Sequence, residues 1–243
     1  MAYRRDCSGA FRRGESLNYK SRPAGLTDRQ LGHFISGGGP WLTRIRISPP
    51  WSSTSDGIDY AVLVRREDPA FAIVAPHGGG IEPGTSEIAD AIAVQRWSFY
   101  SFEGLKQSGN RVLHITSTCF DEPMCLVLLS GTSRVVTLHG EESDDDIQGV
   151  FVGGLDLELG TRMGALLKAQ GFDVRRHPDP NLQGLNLKNI CNRGTAGKGV
   201  QLELSRSVRE TLFESLTREG RKHPTPRFKT FVDTVARSLE DET

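Results

Sequence analysis

The sequence predicts an α/β fold: a single mixed or mostly parallel sheet with helices on both faces. Two observations carry this. From Gly57 onward, short β-type apolar runs alternate with helix-type segments. Some of the runs, such as AFAIVA at 70–75, are apolar at every position, as strands covered on both faces are.

The elements follow in chain order. YAVLVR at 60–65 reads as a strand, and AFAIVA at 70–75 as a buried strand that feeds the loop Pro-His-Gly-Gly-Gly. Thr85 can cap a helix over 86–94, with Ile88 and Ile92 on its inner side. Residues 97–102 and 110–116 read as strands, and 123–129 fits either helix or strand. RVVTL at 134–138 is a strand ending at His139, and 150–153 is another. A helix over 157–170 stops at Gly171 in the C′ position, followed by a short strand at 172–175. After a loop at 178–188 come a strand at 200–204, a helix at 207–216 and a closing helix at 230–239.

Composition narrows the function classes. At 37% hydrophobic and 25% charged, the chain is typical of a globular protein with its own core. Thirty Lys and Arg balance thirty Asp and Glu, so no global field directs it to nucleic acid or a membrane. The apolar runs are far shorter than the ~20 residues that cross a bilayer, and no apolar leader follows the first arginines. No membrane association and a cytoplasmic location are expected. The balance hides an asymmetry, because residues 1–50 carry nine Lys and Arg against three Asp and Glu. Residues 1–56 are expected to form a basic, partly disordered extension with one short helix near 27–34, and 57–243 the folded domain. The run 141–146, with five acids in six residues, is expected to be exposed. The cysteines Cys7, Cys119, Cys125 and Cys191 form no CxxC pair. They are expected to be buried or incidental thiols in a reducing cytosol, with neither a disulfide framework nor a cysteine zinc site.

Open α/β sheets place their sites at the carboxyl ends of strands. His77, Glu82 and His139 follow predicted strands and form a His2Glu set, which suits one catalytic zinc with an open position for water. A single histidine after a strand is more often a capping or hydrogen-bonding residue; two of them with a nearby glutamate weaken that alternative. In VQLEL at 200–204, alternation sets Val200, Leu202 and Leu204 on one face and Gln201 and Glu203 on the other. A buried carboxylate is unfavourable unless paired or functional, so Glu203 is a candidate general base beside a metal-bound water. A solvated edge position is the alternative. Asn192 and Arg193 could hold an oxyanion or a substrate carboxylate, with Arg206 a further carboxylate clamp, although an ordinary loop would also carry such residues.

The segment PHGGGIEPGTSEIA from Pro76 closely resembles the hallmark of the phage-type poly-γ-glutamate hydrolases, whose relatives are often labelled phage-related replication proteins. Further blocks follow in order over about 57–240: LHITST from Leu113, FDEP from Phe120, LHG from Leu138, VGGLD from Val152, NRG from Asn192 and GVQLELSR from Gly199. The resemblance implies a zinc carboxypeptidase-like core that cleaves γ-glutamyl amide bonds. It implies His77, Glu82 and His139 as zinc ligands, Glu203 as general base and acid, and Asn192 and Arg193 on the substrate. It extends to poly-γ-glutamate or another glutamyl compound as substrate, with release of the enzyme by phage lysis; a monomer is expected. Two other readings remain: a zinc amidohydrolase or peptidase acting on another peptide or N-acyl amino acid, and a non-catalytic DNA-associated protein. Nucleic-acid binding has no motif in its support beyond the basic first fifty residues.

Overall fold

The computed structural model describes residues 57–94, 96–142 and 148–240, and the backbone of 43–45. The expected helix near 27–34 and most of the acidic run at 141–146 lie outside the described residues, as does the expected extension apart from Thr43–Ile45. That short stretch is strand β1, paired antiparallel with β2 (Tyr60–Arg65).

Eight strands form one mixed sheet in the order β1-β2-β4-β3-β5-β8-β6-β7. Its centre is parallel: β4 (Trp97–Gly104), β3 (Asp68–Gly79), β5 (Arg134–Glu141) and β8 (Gly199–Ser205). β2 pairs antiparallel with β4, while β6 (Val150–Gly153) pairs antiparallel with β8 and parallel with the two-residue β7 (Val174–Arg175). From β3 the chain passes to β4 on one side and then to β5 on the other, so the strand order reverses between β3 and β5. A crevice at the carboxyl ends of such a switch point is where open α/β sheets place their ligands.

Helices cover both faces. On one face α1 (Thr85–Ala93), α3 (Leu157–Ala169), α4 (Arg206–Leu212) and α5 (Pro226–Glu240) pack on Phe71, Ile73, Ala75, Val136, Leu138, Val200 and Leu202. On the other, α2 (Pro123–Ser130) packs Met124, Cys125 and Leu128 against Val62, Val64, Ala72, Val74, Tyr100, Phe102 and Val135. Each large apolar side chain buried this way stabilises the fold by about 1.5–3 kcal/mol.

Local chemistry decides several boundaries. The ambiguous segment at 123–129 is helical because Glu122 caps it, accepting from the backbone N–H groups of Met124 and Cys125, and Pro123 presets its first turn. Asp156 caps α3, and Gly171 follows its end at φ 76, as the sequence predicts. Thr85 is the first residue of α1 and not its cap, which is Gly84 at φ 100. The expected strand at 110–116 is instead a 3₁₀ turn (Asn110–Leu113) running into a loop. The Asn110 side chain binds the Lys106 backbone through both its amide ends, which closes a turn that a strand could not make. The expectation of exposed acids fails at Glu141, which is buried because β5 runs on to pair it with Ser205. The expectation of four reduced thiols fails at Cys119, which is disulfide-bonded, whereas Cys125 and Cys191 are free and buried.

Candidate metal centre and active site

Three adjacent parallel strands bring the site together. His77 comes from the end of β3, His139 from β5 and Glu203 from β8, where Glu203 stands directly opposite His139 in the ladder. His139 and Glu203 share the α2 face of the sheet, since Val135 lies two pleats before His139 on that side and Val200, Leu202 and Leu204 occupy the other face. His77 reaches the same face by a different route. Strict alternation after Phe71, Ile73 and Ala75 would point it at α1 and α3. Between Ala75 and Gly78, however, β3 carries one residue more than β4, a β-bulge that reverses the phase. The His77 ring therefore packs edge-on against Phe120, on the α2 side.

The glycines after His77 are set by close approach. Gly79 has φ 62, and a Cβ there would lie 2.6 Å from the Gly104 carbonyl oxygen. The loop then returns at once: the Glu82 N–H donates to the His77 carbonyl at 2.8 Å, and the Thr85 hydroxyl donates to the Glu82 carbonyl at 2.8 Å. This turn drives the Glu82 side chain back over the strand ends, where one carboxylate oxygen accepts from the Gly140 N–H at 2.8 Å.

Around that carboxylate the imidazoles converge. His77 Nδ1 is 3.0 Å from Glu82 Oε1, His139 Nδ1 is 3.7 Å from Glu82 Oε2, and the two Nδ1 atoms are 3.2 Å apart. His77 Nε2 lies 2.6 Å from the Ile115 carbonyl oxygen, which can only accept, so Nε2 bears the proton. In the neutral ring the Nδ1 lone pair then faces a second Nδ1 and an anionic carboxylate. Such a gathering of acceptors needs a proton or a cation between them. Ligand atoms about 2.0–2.1 Å from one tetrahedral ion lie about 3.3 Å apart, which is close to these separations. The donor set therefore fits a zinc-like cation.

His114, which sequence reasoning did not single out, stands at the rim. Its ring stacks on His77 with centroids 3.9 Å apart, and its Nε2 is 3.4 Å from Glu82 Oε1. His77, Glu82 and His114 thus form a second possible ligand grouping. The signal for it was the block at 113–118, but a strand over those residues gave no reason to turn His114 toward Glu82.

Charge is unevenly distributed. Burial pushes the Glu82 carboxyl up, yet the charge on His77 and hydrogen bonds from His114, His139 and His77 outweigh it and hold it well below the usual range. Glu203 goes the other way: burial raises it well above the usual range, the Glu82 and Glu141 charges raise it further, and Arg209 and the Gln201 amide oppose them. Burial and the charge of His77 also lower the pKa of His114, against the pull of Glu82. One carboxyl held low and one pushed up thus lie within electrostatic reach of each other, a pairing that separates ligand from acid–base work.

The remaining predicted residues lie at varied distances from this chemistry. Asn192 is buried, and both its amide hydrogens are committed, to the Gly184 and Asn186 carbonyls, while its oxygen accepts from the Leu155 N–H. Arg193 Nη1 donates to the Phe120 carbonyl beside His77. Arg206 is not brought to the cluster; it is exposed and pairs with Glu142 and Glu210. Arg209, which had no sequence signal, is fully buried and donates to the carbonyls of Leu204, Pro83 and Glu141 and to the Glu142 carboxylate.

The mixed sheet and the histidine–carboxylate cluster over its central strand ends have the build of a hydrolase. Residues 51–234 match the family model described as poly-gamma-glutamate hydrolase, and the chain belongs to that family. The SPbeta prophage-derived protein YoqZ of Bacillus subtilis (strain 168) is 41% identical over 165 residues, 68% of this chain and 59% of YoqZ, so the chain spans about three-fifths of that relative's length. YndL of the same organism is 36% identical over 191 residues, covering 78% of this chain and 75% of YndL. Among solved structures, a bacteriophage poly-gamma-glutamate hydrolase superposes with a TM-score of 0.74 at 34% identity, covering 78% of this chain and 92% of its own. A zinc-free apo form of YndL superposes with a TM-score of 0.69 at 36% identity, covering 76% and 91%.

Proposed function

We propose that the chain is a zinc-dependent hydrolase of γ-glutamyl amide bonds that depolymerises poly-γ-glutamate. The observation that carries this is the gathering at the strand ends: the Glu82 carboxylate 3.0 Å from His77 Nδ1 and 3.7 Å from His139 Nδ1, with Glu203 opposite His139 in the ladder. Family membership supplies the substrate class.

On this reading His77, Glu82 and His139 hold one zinc ion. Bound there, it would lower the pKa of a water and polarise the scissile carbonyl. Glu203 takes the proton from the attacking water and delivers it to the leaving amine. The Ile115 carbonyl holds the His77 ring in the tautomer that presents Nδ1, and Ser117, 3.4 Å from His139 Nε2, steadies the second ring. Arg193 has donors beyond the one given to Phe120 and would take a substrate carboxylate. Asn192, with its amide committed, would shape the loop that presents Arg193.

Size-exclusion chromatography of poly-γ-glutamate treated with wild type, His77→Ala and Glu203→Gln tests the reading. Shortening by wild type alone, with zinc retained in Glu203→Gln and lost from His77→Ala, is the expected outcome. No shortening by a zinc-loaded wild type would move the substrate to another peptide or an N-acyl amino acid. Full activity in Glu203→Gln would remove its role as base.

A further inference from the structure

The Glu203 carboxylate is tied into a chain of amides whose direction is set from the backbone. The Cys191 N–H donates to Asn189 Oδ1 at 3.0 Å, so this oxygen is the accepting end of the asparagine. Asn189 Nδ2 then faces Gln201 and donates to its Oε1 at 2.8 Å. That leaves Gln201 Nε2 with two hydrogens, given to the Leu182 carbonyl and to Glu203 Oε1, each at 2.9 Å. No amide in the chain can be flipped, because a backbone N–H cannot accept and a backbone carbonyl cannot donate. Gln201 and Asn189 are both buried, so water does not compete for these bonds.

We propose that Gln201, locked by Asn189, is a positioning residue that reserves Glu203 Oε1 as a hydrogen-bond acceptor and makes Oε2 the oxygen that exchanges protons. The physical reason is directional. Oε1 always meets an N–H, and the hydroxyl oxygen of a carboxylic acid accepts poorly, so the proton resides on Oε2. In turnover Oε2 gains a proton from the attacking water and loses one to the leaving amine nitrogen, and Glu203 ends unchanged. The Cys191 N–H and the Leu182 carbonyl thereby govern the proton-transfer geometry from the backbone. This inference rests on Glu203 acting as the base.

The test compares Gln201→Leu, Asn189→Asp and Glu203→Gln in the zinc-loaded full chain, by kcat and KM on poly-γ-glutamate, zinc content and thermal melting. Gln201→Leu should lower kcat about 10–100-fold, with KM within about twofold and zinc unchanged, as losses in an outer hydrogen-bonding shell do. Asn189→Asp keeps the shape but sets a second acceptor against Gln201 Oε1. It should lower kcat in the same direction, and it carries the test where Gln201→Leu melts too low to assay. Wild-type kcat in a folded Gln201→Leu or Asn189→Asp, with Glu203→Gln inactive, would overturn the positioning role alone. Full activity in Glu203→Gln would overturn it together with the base it serves.

Discussion

The chemistry of Glu203 departs strongly from its surface behaviour. Its carboxyl is raised well above the usual 4.5 by burial first, then by Glu82 and Glu141. Between 4.5 and that raised value the folded protein keeps a proton that the unfolded chain has released. Stability from this group is therefore highest at low pH and falls as pH rises through the window, by up to about 1.4 kcal/mol per pH unit. In the metal-free protein, Glu203→Gln should melt higher than wild type at pH 7–8 and converge with it near pH 4; identical melting curves at both ends would refute the assigned burial cost. Gly140 makes a second residue-level case. A Cβ there would lie 2.7 Å from Arg209 Cζ and 2.9 Å from Glu82 Cβ. Gly140→Ala should lower stability by about 1–3 kcal/mol and weaken metal binding, both readable by melting with and without zinc.

At the scale of elements, the bulge in β3 and helix α4 do most to assemble the site. The bulge is what lets one strand bury Phe71, Ile73 and Ala75 against α1 and α3 and still aim His77 at the opposite side. Helix α4 contributes Arg209, whose guanidinium joins the ends of β5 and β8 to the loop that carries Glu82. Four acceptors lose their donor when it is removed. Arg209→Met should cost about 3–5 kcal/mol, measured as a shift in the urea midpoint, because the packing survives but the carbonyls of Leu204, Pro83 and Glu141 lose their donor away from water. A midpoint within error of wild type would show that water replaces the guanidinium at no cost.

For the molecule as a whole, a cation held by His77, Glu82 and His139 should act as a clasp between β3 and β5. His77 lies at the end of β3, Glu82 in the loop after it and His139 on β5, with His114 beside them from the connection between β4 and α2. Zinc at a hundred times its dissociation constant should stabilise the fold by about 2.7 kcal/mol, seen as a higher melting temperature that chelation reverses. No helix of the described residues is long and apolar enough to cross a membrane.

The sequence by itself determined the α/β class, the central strands and the identities of the histidines and carboxylates at their ends. It could do so because side-chain period and strand-end placement are local properties. The face of Glu203 was legible for that reason: alternation in VQLEL holds without interruption. The face of His77 was not, because a bulge is defined only against the neighbouring strand. His114 and Arg209 were hidden for a related reason. Each reaches Glu82 or its loop across a large sequence separation, and nothing in their own segments marks the contact. Only the tertiary structure decided the amide chain onto Glu203, since the direction of those bonds is dictated by backbone groups that a linear sequence does not bring together.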